Sequence, residues 1–157
     1  MTAETTPPHW TPYRTAKEPL PPINWSWPLR GAGLAWLGVD GAPVAEPLPK
    51  CGPDEILVRV DAVSLCSSDA KMIRLGDRYP LFYGRDLRQE PTRLGHEVAL
   101  TVVEVGTRWQ HHFSRGQRLG LQPDVFNGGR RTCFGVLIPG GLAQYMALGP
   151  DVLDGDA

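Results

Sequence analysis

The sequence predicts a mainly β domain with a few short helices. Eighteen glycines and 16 prolines among 157 residues leave little chain for helix, because these two are the poorest helix formers. Short apolar runs recur between turn signals at near-regular spacing, the mark of a β-barrel or sandwich. Strands do not alternate with long helices, so a doubly wound nucleotide-binding domain is not expected.

Residues 1–28 read as a Pro/Trp-rich N-terminal arm. Pro7, Pro8, Pro12, Pro19, Pro21, Pro22 and Pro28 favour extended, polyproline-like chain and break any ladder. Trp10, Trp25 and Trp27 are unusual in a free tail, so the arm is expected to lie across the domain. The domain itself takes residues 29–157. Leu34 to Val39 is a short apolar run between glycine-rich turns and reads as a strand. From Glu55 to Val63, Ile56, Val58, Val60 and Ala62 alternate with Leu57, Arg59 and Asp61, the pattern of a strand with one buried face. Cys66-Ser67-Ser68-Asp69 follows, and Ala70 to Arg74 offers one or two helical turns capped by Ser67, Ser68 or Asp69. Residues 76–93 are polar and read as loop. Val98 to Val105, closed by Gly106, is the second strong strand, β-branched on both faces. Shorter strands are expected at Gln117 to Gln122 and Gly141 to Leu148, with a Gly/Arg-rich loop between them.

Composition excludes several classes of function. Lys and Arg number 16 against 17 Asp and Glu, so no basic surface invites nucleic acid or anionic lipid. The longest apolar stretch, Gly31 to Val39, is too short and glycine-rich to span a bilayer. No basic-then-apolar leader opens the chain. Cys51, Cys66 and Cys133 are too few and scattered for a disulfide framework. A cytoplasmic setting is the expectation.

The chemistry centres on Cys66 at one strand end and Gly95-His96-Glu97 at the start of another. Thiolate, imidazole and carboxylate are the donors zinc takes, and a catalytic site uses three of them and leaves a fourth position open. Asp69 could accept a hydrogen bond from the free ring nitrogen of His96. On spacing alone, a structural cysteine beside an unrelated His-Glu pair is equally compatible with these residues.

Five motifs in order add to this. Val63-Ser64-Leu65-Cys66-Ser67-Ser68-Asp69, Leu94-Gly95-His96-Glu97-Val98, Thr101 to Gly106, Gly116-Gln117-Arg118-Leu119 and Pro139 to Tyr145 resemble those of the medium-chain zinc-dependent alcohol and polyol dehydrogenases. The match covers roughly residues 32 to 148. The resemblance implies the N-terminal GroES-like domain, a partly open β-barrel. It implies Cys66 and His96 as zinc ligands, Glu97 as a carboxylate that can swing onto the metal, Ser68 as the proton relay and Asp69 as the group orienting His96. It also implies one catalytic Zn2+, a small alcohol or polyol substrate, and NAD or NADP as hydride acceptor.

Some positions depart from the family. Leu100 stands where a glycine is usual, and the interval from Cys66 to His96 is longer than is common. Cys133 alone falls between Leu121 and Pro139, so a structural zinc lobe is not expected. The sequence ends at Ala157, before the family's further ligand and its Rossmann domain. The expectation is therefore a chain that reaches NAD or NADP only through a missing nucleotide-binding domain, which a separate chain could supply, and is inactive without it; a homo-oligomer is compatible with the sequence. Two other readings stand beside it: a non-catalytic GroES-like binding or assembly module, and a zinc-free relative of the quinone reductase kind, against which Cys66 and His96 argue. Gly31 to Trp36 only approaches a dinucleotide fingerprint, since no strand precedes it and Pro43 forbids the helix. His111-His112 would point to opposite sides of extended chain and read as solvated loop. Arg130-Arg131 could touch a phosphate or form an exposed turn.

Overall fold

The computed structural model describes Tyr13 and residues 16–154; Pro7, Pro8, Trp10 and Pro12 of the arm lie outside them. Ten strands and two short helices follow in order: β1 Ile23–Ser26, β2 Pro28–Leu29, β3 Val44–Pro47, β4 Ile56–Ser64, α1 Ser67–Leu75, β5 Thr92–Arg93, β6 Glu97–Val105, β7 Arg118–Gly120, β8 Phe126–Asn127, β9 Arg130–Arg131, β10 Tyr145–Leu148 and α2 Pro150–Leu153. A four-stranded antiparallel sheet in the order β10-β4-β6-β7 forms the centre. Three two-stranded ribbons, β1-β3, β2-β5 and β8-β9, surround it. Among the described residues these sheets do not close into a barrel, because the edge strands β7 and β10 run for only three and four residues. No helix there is long and apolar enough to cross a membrane.

The β4 pattern differs from a strand with one buried face. Ile56, Leu57, Val58 and Arg59 are all buried. Ile56 and Val58 join Leu100, Val102, Phe134, Met146 and Leu148 in the main core. Leu57 points the other way, to Val103 and Ala16, with Leu20, Leu48 and Cys51 beside them. The segment ahead of β1 therefore covers the sheet's second face. Arg115 Nε donates to the Ala16 carbonyl at 2.8 Å and holds that segment down.

Two further expectations change. Residues 23–26 form a strand despite the prolines around them, pairing with β3 from Ile23↔Pro47 to Ser26↔Val44. The arm is also sewn to the far end of the chain. Trp27 N–H donates to the Leu142 carbonyl at 2.8 Å, Gln144 N–H to the Trp25 carbonyl at 3.0 Å, and the Asn24 side chain makes two bonds with the Tyr145 backbone at 3.0 and 3.1 Å. Leu34 to Val39, expected as a strand, is instead a 3-10 turn at Leu34–Trp36 followed by single bridges at Leu37 and Val39. Within the turn Trp36 N–H donates to the Gly33 carbonyl, and the segment meets the chain around β2 only through Arg30 N–H to Trp36 and Gly38 N–H to Pro28, too few bonds for a continuous ladder.

A second apolar cluster lies under α1. Leu29, Met72, Phe82, Leu87, Leu94, Cys133 and Val136 are buried together, each large aliphatic or aromatic one contributing about 1.5–3 kcal/mol. The expected loop over residues 76–93 contains two 3-10 turns, the second carrying Phe82, then a turn carrying Leu87, and ends in β5. Residues 93–95 are then laced to 140–142 by Gly140 N–H to Arg93, Leu142 N–H to Leu94 and Gly141 N–H to Gly95, at 2.7 to 3.0 Å. This cross-lacing fixes the entry into β6.

Candidate metal centre

Antiparallel register brings the two candidate segments together. Ser64 at the end of β4 stands opposite Glu97 at the start of β6, so Cys66, two residues past one strand, comes beside the first residue of the other and the residue before it. The sulfur of Cys66, a ring nitrogen of His96 and a carboxylate oxygen of Glu97 all lie within 4.8 Å of one another. Cys66 and His96 are partly buried and Glu97 is exposed. One ion at about 2.0–2.3 Å from each donor closes that span with small side-chain adjustments. The residues present therefore fit zinc.

Asp69 is the frame of this cluster. It is 1% exposed. Its Oδ2 accepts the Cys66 N–H at 2.8 Å and its Oδ1 accepts the Gly95 N–H at 3.1 Å. Cys66, rather than Ser67, Ser68 or Asp69, takes the N-cap position of α1, and Asp69 reaches back to it from the third helical position. The His96 Nδ1 is 3.5 Å from Asp69 Oδ1, beyond a good hydrogen bond, so Asp69 holds the ring mainly through the backbone of Gly95. Gly95 itself has φ +83°, a conformation that favours glycine.

The other face of the ring meets Ser68, whose Oγ is 3.3 Å from His96 Nε2. The Cys66 thiol is lowered to about 7, chiefly by the Ser68 backbone N–H, then by the Ser68 hydroxyl and His96. A substantial thiolate fraction is thus present at neutral pH, the form a metal takes.

A cavity of about 250 Å³ opens beside the cluster. Ser68 and His96 form one wall; Met72, Leu81 and Val136 form an apolar one; Asp124 and Arg131 lie along it too. No motif or periodicity in the sequence marks Asp124, Tyr79 and Phe134. They reach the cavity through 3-10 turns and a hairpin, whose docking leaves no spacing signal. Arg131, weighed in sequence as a phosphate contact or exposed turn, is instead bound to Asp124, with Nε to Oδ1 at 3.0 Å. That guanidinium holds the Asp124 carboxyl below the usual range. Arg130 lies over the Tyr83 ring, 4.5 Å from its centroid. His111 and His112 are both exposed, and the His112 ring meets Trp109 edge-on; they are not grouped with the buried Cys133. Gly31 to Trp36 forms the turn described above rather than a strand–turn–helix unit.

Residues 52–153 match the family described as the alcohol dehydrogenase GroES-like domain. An L-sorbose 1-phosphate reductase of Klebsiella pneumoniae is 34% identical over 111 residues, which make up 69% of this chain and 27% of that protein. A sorbitol dehydrogenase of Bombyx mori is 30% identical over 113 residues, 63% of this chain and 31% of the relative. The chain thus spans roughly a third or less of these relatives' length. Among solved structures, AibC superposes with a TM-score of 0.64 at 25% identity, covering 81% of this chain and 36% of that one. The acetophenone reductase of Geotrichum candidum, in complex with NAD, gives 0.65 at 22% identity over 86% of this chain and 40% of that one; at that identity the likeness speaks for the fold alone.

Proposed function

The chain belongs to the alcohol dehydrogenase GroES-like domain family, and from that premise we propose that it is the zinc-holding, alcohol-activating part of an alcohol or polyol dehydrogenase. The observation that carries this is the convergence of Cys66, His96 and Glu97 within 4.8 Å, with the buried Asp69 bonded to the backbone on both sides.

In this reading Cys66, His96 and Glu97 would hold one Zn2+, which when bound would supply Lewis-acid chemistry. Ser68 Oγ, beside the His96 ring nitrogen, would relay the alcohol proton, accepting it while giving up its own to solvent. Asp69, accepting two backbone N–H groups, keeps the Cys66 and His96 segments in register. The apolar wall of Met72, Leu81 and Val136 excludes water from the carbon skeleton of the substrate. The described residues hold no parallel strand, glycine turn and helix of the kind that cradles a nicotinamide. NAD or NADP is therefore held by a nucleotide-binding domain, in this polypeptide or in another.

Metal analysis of purified protein tests the reading. About one zinc per chain is expected for a single site with this donor set, and Cys66→Ser should lose most of it. Equal zinc in the wild type and the variant would overturn the assignment.

A further inference from the structure

We infer that Asp124 and Arg131 form the recognition pair for the hydroxyl-bearing tail of a polyol, whose reacting end lies at Ser68 and His96. This deepens the proposed function and rests on it.

The same cavity of about 250 Å³ is lined by Ser68 and His96 and by Asp124 and Arg131, so one small molecule can reach both. The pair stands on a built frame. The hairpin β8–β9 is closed by Phe134 N–H to the Pro123 carbonyl at 2.9 Å and Thr132 N–H to Val125 at 2.9 Å. The Tyr83 hydroxyl donates to the Arg131 carbonyl from across the gap at 3.3 Å. Among the described residues, the hydrogen bonds of the Asp124 carboxylate fall on Oδ1: from Arg131 Nε, Arg131 Nη2 and the Cys133 thiol. Oδ2 of Asp124 and Nη1 of Arg131 have no protein partner among the described residues. The two side chains remain about half exposed, at 49% and 44%, and so open to a ligand.

An ionised carboxylate only accepts hydrogen bonds and a guanidinium only donates them. Each hydroxyl of a polyol does both, so neighbouring hydroxyls can bridge the pair without disrupting it. A phosphate is less well served, because the pair is neutral overall and its carboxylate repels an anion. A simple alkanol would use Ser68 and the apolar wall and leave the pair untouched.

The test is an amide-resolved NMR titration of the zinc-loaded chain with D-sorbitol, 1-butanol and D-sorbitol 6-phosphate, repeated on Asp124→Asn and Arg131→Gln. Sorbitol should shift amides near Ser68 and His96 and also in the hairpin. Its affinity should fall at least fivefold in each variant, with butanol binding unchanged and the phosphate ester binding no tighter than sorbitol. Unchanged sorbitol affinity in both variants would overturn the inference, as would tenfold tighter phosphate-ester binding that Arg131→Gln abolishes. Failure to take up zinc overturns the reading of the metal centre; zinc uptake with a hairpin indifferent to sorbitol overturns the present inference alone.

Discussion

Asp69 places one carboxylate oxygen on each of two backbone N–H groups 26 residues or fewer away, those of Cys66 and Gly95. An asparagine has the same shape but only one acceptor oxygen. In Asp69→Asn one buried N–H would face an amide NH2, so urea unfolding of the metal-free protein should show a loss of about 1–3 kcal/mol, with zinc retention falling alongside. Asp124 behaves differently because it is exposed. Arg131 lowers its folded-state pKa below the ordinary 3.8, so its stabilisation is complete above that value and is lost as the pH falls through the lowered one. After solvent screening it amounts to at most about 1 kcal/mol. Unfolding measured from pH 7 down to pH 2 should therefore differ little between the wild type and Asp124→Asn, any gap closing only at the acid end.

The entry into β6 depends on Gly95. Its φ is +83° and an added Cβ would sit 2.5 Å from Val63 Cγ2. Gly95→Ala should cost at least about 2 kcal/mol, from left-handed backbone and overpacking together, read as a lower denaturation midpoint. The elements that carry the site were legible because each has a strong local signature. β4 and β6 are long β-branched runs, and α1 begins at a capping pattern of polar residues. The side chains of Cys66, His96 and Glu97 follow from those strand ends. What could not be read is made by distant partners. β1 exists because β3 and Gln144 pair with it, and Leu57 is buried because Ala16 and Leu20 cover it. Leu34 to Val39 misled because an apolar run between glycines suits a turn as well as a strand. Asp124 entered the cavity only through the docking of a hairpin, which no periodicity announces.

At the scale of the molecule, the proposed chemistry is divided between a metal half and a cofactor half. The 157-residue polypeptide with free NAD or NADP and a panel of polyols should show no appreciable cofactor reduction, since nothing described here positions the hydride acceptor. Activity that depends on Cys66, His96 and Ser68 should appear once a nucleotide-binding domain is present. Robust turnover by the polypeptide alone would contradict this division. The bonds from Asn24 to Tyr145, 121 residues apart, carry a consequence in time. Ribosomes add about 5–20 residues per second, so β1 waits roughly 6–24 s before its distant partner has been made. During that interval the β1–β3 ribbon has no C-terminal segment to bond the Asn24 side chain or the backbone of Trp25 and Trp27. The maturation of β1 is thus paced by translation as much as by its own folding rate.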